Sequence, residues 1–415
     1  MCKYMPWMRM FAGVKFMDKL KERLKQADWW EITYLIIYGA VFTFEFLNTT
    51  MFEVKWPPKF GYIFLASTAL YVIAKFIWNN TYTKKEMIWA GVILFAFLMP
   101  ALLTEYRFLW YTGFLIVGAK DIDFDKILKV YLVIGITIMV AAFGASQYGV
   151  IADLEYIIDR GNEELLVRHS YGIVYPTDFA AHIFYIVLAI VVYMKDKLRV
   201  WEQVWLSILA AGMVYLVANA QTSMLCLLGF AMMCICVNVL YKYMHVMEKI
   251  VRWIPVACAS IFCYLAYIYD SSIKWMDKLN DLLSTRLEIS KKAFDLYEIK
   301  MFGQNIPEIG SGRGVEYRPD YFFLDDVYIR ILLEYGFVLF CVVFLILALI
   351  SKRAAEKKQY MLVIALLAIA IHSVMEHHLL EVAYNPMIIS LFAIYGKNEQ
   401  ESGRKTCIEK TVKAG

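Results

Sequence analysis

Charge is scarce in this chain. Of its 415 residues only 19% are Asp, Glu, Lys or Arg, against 61% hydrophobic and 16% aromatic, and mean hydropathy is +0.54. A water-soluble protein of this length would expose more apolar surface than it could keep in solution, which excludes an ordinary soluble enzyme. The formal net charge of +4 is small and gives no reason to expect a nucleic-acid partner. Cysteines are also placed unhelpfully for covalent chemistry. Cys226, Cys234, Cys236, Cys258, Cys263 and Cys341 fall in apolar stretches, and Cys2 and Cys407 lie near the ends. None stands in a long polar segment and no CxxC pair occurs, so neither a disulfide framework nor a dithiol redox motif is expected. They read as small core hydrophobes. The first 28 residues lack a continuous apolar core with a small-residue cleavage site, which argues against a signal peptide. They are basic and read as a cytoplasmic amphipathic segment on an anionic leaflet. No sequence repeat relates the two halves.

Long apolar runs are what the chain has in abundance. Stretches of about twenty residues, enough to cross a bilayer as helix, recur near 30–48, 61–79, 86–104, 107–120, 127–147, 172–194, 202–219, 222–241, 253–270, 325–350, 360–377 and 384–396. The expected class is therefore an all-α, polytopic membrane bundle of about twelve spans. The fourth and twelfth runs are short enough to be tilted or partly re-entrant. Lys and Arg concentrate in 1–28, 81–86, 195–199, 241–252, 351–358 and the tail from 397 to 415. An even number of spans places all six segments on one side, so the positive-inside rule puts both termini in the cytoplasm. The chain then divides into spans 1–9 over 29–270, spans 10–12 over 325–396, and two polar stretches outside. These are 148–171 and, much larger, 271–324. A connection as long as the second is usually functional. Within 281–300, Leu283, Leu287, Phe294 and Tyr297 predict one amphipathic helix packed against the bundle. The Gly- and Pro-rich "GQNIPEIGSGRG" that follows cannot stay regular.

Ionisable groups at membrane depth are costly, so each is a candidate. Five of six histidines (His169, His182, His372, His377 and His378) fall toward the outer face, His245 alone being inside. In "VRHSYGIVYPTDFAAH", Arg168 offers a planar fork suited to phosphate oxygens, and Asp178 and His182 are spaced as an i, i+4 pair. The large loop adds Arg286, Arg313 and Arg318 among acids and bases of near-equal number. "LDDVYIRILLEYG" opens with Asp325 and Asp326. One of them would cap the helix, and Asp326, Arg330 and Glu334 would form a stripe at steps of four, with Tyr328 beside Asp325. In "IHSVMEHHLLEVAYNP", His372 and Glu376 share a helical face. The segment lacks the second spaced histidine of a zincin, and adjacent His377 and His378 are expected to face apart on a helix, so no metal is expected.

Together these motifs resemble the O-antigen polymerase and ligase superfamily of bacterial surface-polysaccharide assembly, most closely its Wzy-type polymerase branch. The resemblance spans nearly the whole chain and rests on the order of "RHSYGIVYPTDF", "STRLEISKKAF", "FGQNIP", "LDDVYIRILLEYG" and "EVAYNP". It implies a GT-C-like bundle in the cytoplasmic membrane of a bacterium. Metal-independent and cofactor-free transfer of a glycan from undecaprenyl diphosphate to an acceptor hydroxyl would take place at the outer face. Arg168 and Arg286, with Arg313 and Arg318 as further candidates, would bind the diphosphate. Asp325, or else His372 or Glu376, would take the acceptor proton, with Asp178, His182, Asp326, Tyr328, Arg330 and Glu334 supporting the site. A chain-length regulator and a flippase are the protein partners such a system implies. Ligase members commonly carry His-Asn where this chain has Asp325-Asp326, which favours polymerase. A ligase using another acceptor, or a flippase for lipid-linked oligosaccharides, are the competing readings.

Overall fold

The computed structural model describes residues 28–57, 59–79, 81–104, 106–159, 165–239, 249–310 and 321–396. It is a helix bundle with α1 Trp29–Asn48, α2 Gly61–Trp78, α3 Lys84–Leu103, α4 Phe108–Gly118 and α5 Phe124–Gln147. A hairpin follows, β1 Glu155–Asp159 against β2 Leu165–His169, and then α6 Pro176–Tyr193, α7 Val200–Ala218, α8 Gln221–Val239 and α9 Ile254–Tyr267. Two loop helices, α10 Lys274–Leu282 and α11 Arg286–Leu296, precede α12 Phe337–Glu356 and α13 Tyr360–His372.

Among the described residues, nine helices are long and apolar enough to cross a membrane: α1, α2, α3, α5, α6, α7, α8, α9 extended back to Lys249, and α12. Many of their side chains face outward, Leu216, Trp78, Ile88 and Val140 among them, as expected of a lipid-facing perimeter. The multi-pass class is therefore shown, and the three remaining expected spans take other forms. The run at 107–120 yields the 11-residue α4, and that at 360–377 yields the 13-residue α13. At 1.5 Å per residue they cover only about 16 and about 20 Å, less than a hydrocarbon core of about 30 Å.

The run expected at 384–396 forms no α-helix. It holds a 3₁₀ turn at Met387–Leu391, after another at His378–Leu380. Asn385 explains the break: its side chain accepts from Met387 N at 3.0 Å and donates to the Leu379 carbonyl at 2.8 Å, and Pro386 follows. Irregular backbone survives at such depth only when buried in protein and fully bonded. Here Thr112 donates to Leu380 O, Tyr131 to Tyr384 O, and Arg353 to the carbonyls of Leu391 and Ala393. Every residue from Tyr384 to Leu391 is buried.

At the end of the bundle that carries the hairpin and the long loop, the segment before α12 is a single α turn, Val327–Ile329, running into a π-helical turn, Arg330–Tyr335. The loop completes its bonding. Gln304 takes the carbonyls of Glu334 and Leu333 with its N–H and its side chain, and Phe337 and Val338 donate to Lys300 O and Met301 O. Gly303 (φ 90°) and Gly336 (φ 97°) meet back to back, so a Cβ on Gly336 would lie 2.3 Å from Gly303 N. Gly336→Ala therefore combines a backbone clash with positive-φ strain. It is expected to cost more than about 2 kcal/mol, read as a lowered melting temperature of the detergent-solubilised protein.

The single helix expected over 281–300 is instead two. Ser284 (φ 52°) and Thr285 (φ 66°) both take left-handed conformations and break it between α10 and α11. The apolar spacing was legible in the sequence, but two polar residues that tolerate a tight turn gave no comparable signal.

Candidate active site

The break at Ser284–Thr285 aims Arg286, the first residue of α11, back at the bundle. Its guanidinium lies 3.0 Å from the Asp325 carboxylate and donates to Ser284 O at 2.9 Å. Both side chains are about one-fifth exposed, at 18% and 20%. They stand at the rim of the bundle, open to a ligand, rather than in its core. Burial raises the Asp325 carboxyl above the usual range, opposed by the facing Arg286 and Arg330. For Arg286, burial is the largest influence and acts to lower its pKa, but the combined charges of Asp325, Glu376 and its other acidic neighbours outweigh it and hold the guanidinium protonated.

Asp326 does a different job. Its Oδ1 accepts from Ile329 N at 2.8 Å and its Oδ2 from Ser290 Oγ at 2.7 Å, so it caps the turn and pins α11 to it. The expected stripe is thus divided. Arg330 meets Glu334 at 3.0 Å, Glu308 of the loop at 2.8 Å and Tyr106 Oη at 3.0 Å, while Asp326 faces Ser290. Tyr328 departs from its expected place beside Asp325. It is buried against Phe262 and Phe344 and donates to Ala370 O. The reason is the same in both cases: Asp326 is the extended cap and Asp325 precedes it, so helical spacing counted from either acid does not apply, whereas Arg330 and Glu334, both inside the following turn, keep their contact. Arg330 is 2% exposed and holds two carboxylates. Arg330→Leu would leave Glu334 buried without its ion pair and Glu308 with only its bonds from Leu324 N and Tyr106 Oη, an expected loss of about 3–5 kcal/mol in unfolding experiments.

The Asp178–His182 pair is replaced by two other contacts. His182 bonds Thr49 Oγ1 at 2.9 Å and lies between the rings of Phe46 and Tyr384, each 4.0 Å away. Asp178 turns to His378, 3.6 Å from its Nε2. His372 is likewise apart from the acids. It stacks on Phe184 at 4.2 Å and meets Ser223 Oγ at 3.3 Å inside the bundle. Glu376 lies outside the helix that ends at His372, and its Oε2 is 3.8 Å from His378 Nε2.

His378 is the centre that sequence reasoning missed. It is 1% exposed and faces Asp178, Glu376 and Glu381. Burial alone would lower its pKa, but Glu381 and Asp178 push it up to about 10. Tyr384 stacks on it at 3.7 Å, extending a column of rings that runs Phe46, His182, Tyr384, His378, His377. His377 and His378, expected to point apart, are 4.3 Å between centroids because 373–380 is turn and 3₁₀ rather than α-helix. The available signal was the density of "EHHLLE", discounted on helical spacing. Glu308, Tyr106 and Glu381 were also missed, since only tertiary contacts across the bundle bring them in.

Arg168 lies on β2, where its Nε donates to Ala218 O at 2.8 Å and fastens the hairpin to the end of α7. Arg313 and Arg318 lie outside the described residues. The chain matches no protein-family model, no curated protein and no solved structure. What it does must therefore be argued from the site itself.

Proposed function

We propose that this protein is a membrane glycosyltransferase that polymerises lipid-linked oligosaccharide repeat units at the outer face of a bacterial cytoplasmic membrane. The observation that carries the reading is the Arg286–Asp325 pair, one-fifth exposed at the rim, with its cation supplied by the loop helix α11. A fixed guanidinium beside a carboxylate is what displacement of a diphosphate by a sugar hydroxyl requires. Arg286 holds the diphosphate oxygens as negative charge grows on the leaving group. Asp325 takes the proton of the attacking hydroxyl. The new C–O bond forms at the anomeric carbon as the bond to the lipid diphosphate breaks on the opposite face, inverting the configuration. Arg168 is a second candidate for the diphosphate.

Asp325 acts only when ionised. Transfer should fall on the acid side of its raised pKa and level off above it. Weakening the opposing cation by Arg286→Lys, which loses the bidentate fork, should move that limb to higher pH. A pH–rate profile of both proteins checks the sign.

Reconstitution with purified lipid-linked repeat units distinguishes the alternatives. Polymer supports the proposal, translocation without bond formation identifies a flippase, and inactivity until a different acceptor is supplied identifies a ligase.

A further inference from the structure

We propose that Asp178, Glu376 and His378, with His377 adjacent, form a binding site for a divalent first-row metal ion such as Zn²⁺ at the same end of the bundle. Three observations carry it. The first is an unpartnered atom. His378 is 1% exposed, yet its Nε2 makes no hydrogen bond, although it points between two carboxylates.

The second is separation. Nε2 stands 3.6 Å from Asp178 Oδ1 and 3.8 Å from Glu376 Oε2, too far for hydrogen bonds. Bonds of about 2.1 Å to a four-coordinate ion place ligand atoms about 3.4 Å apart, and Nε2 stands within a few tenths of an ångström of that distance from each carboxylate. His377 offers a further ligand atom within 4.8 Å of those of Glu376 and His378.

The third is what stands behind the ring. His378 Nδ1 lies 3.3 Å from Glu381 Oε2. With Nδ1 donating to a carboxylate, an entering cation displaces the proton on Nε2 and takes its lone pair, and a carboxylate behind the ring is the usual outer support of a ligating histidine. Tyr384, stacked at 3.7 Å, fixes the ring plane. Imidazole and carboxylate ligands together suit Zn²⁺ and its neighbours better than Ca²⁺ or Mg²⁺, which prefer oxygen alone.

No step of the transfer reaction proposed above is routed through this site. It departs from the metal-independence that the sequence resemblance implies.

The test uses full-length protein in detergent, stripped with a chelator and equilibrated with Zn²⁺ or Co²⁺ alone. The expected result is one ion per chain by elemental analysis and a Co²⁺ d–d band of low coordination number. Binding should weaken at least tenfold in Glu376→Gln and in Asp178→Asn. X-ray absorption of the wild-type zinc form needs no variant. It should give a nitrogen and oxygen shell at about 2.0–2.2 Å with imidazole scattering. Wild-type protein that retains no ion, a sulfur-containing shell, or binding unchanged in both variants overturns the proposal. Because the readout is metal content, it stands or falls apart from the polymerase reading.

Discussion

Arg286→Ala is expected to cut polymer formation by at least about 100-fold and to leave single repeat units on their lipid carrier. The magnitude follows from position. Arg286 is the cation that faces Asp325 at the open rim, and its bonds to Ser284 O and Asp325 hold the fork before any substrate arrives. A donor fixed in advance stabilises developing charge without reorganising, which is why its loss appears in the rate. Arg286→Lys keeps the charge but not the two-pronged geometry, and should retain intermediate activity. Polymer length on a gel, with lipid-linked intermediates measured by mass spectrometry, reads both outcomes. Long polymer from a chain lacking both Arg168 and Arg286 would end the assignment.

Asp325→Asn should be the second large effect, a fall of roughly 10²- to 10⁴-fold in rate from loss of the proton acceptor. Its melting temperature should stay near that of the wild type, because the cap belongs to the neighbouring acid. Asp326→Ala should do the reverse. It removes the bonds to Ile329 N and Ser290 Oγ at a cost of about 1–2 kcal/mol or more, while correctly folded molecules keep their turnover per active site. Two adjacent aspartates with opposite signatures, one in rate and one in stability, form a sharp contrast. If Asp325→Asn kept full activity, the base would have to be sought elsewhere, with Glu376 next in line.

Several features of this protein were legible in the linear sequence because their causes are local. An apolar stretch of bilayer length must become a buried or lipid-facing helix wherever it falls, and nine helices of the described residues meet that criterion. The turn at "YNP" has a local cause too, since Asn385 and Pro386 hold the backbone out of an α-helix by their own bonding, yet the apolar run at 384–396 reads as a span. The acids of "LDD" announced a cap at the start of a helix, and one of them is a cap.

The division of labour between those acids, by contrast, depends on Ser290 and Arg286, which are 36 and 39 positions earlier along the chain. Helical spacing misplaced Tyr328 and paired Asp178 with His182, because it assumes an uninterrupted α-helix and a partner on the same element. Asp325 lies outside the helical turn that Asp326 caps, which breaks the first assumption, and α6 facing the 373–381 turn breaks the second.

What the sequence determined alone is the all-helical membrane class and the collection of ionisable groups in a few segments, because hydropathy and turn chemistry act over neighbouring residues. What only the tertiary structure decided is which of those groups meet. His378 meets Asp178 because α6 packs against the 373–381 turn at one end of the bundle, and the non-helical path of that turn brings Glu376 and Glu381 round to the same ring. The energy of a buried charge depends on its nearest partners in space, and chain position does not encode them.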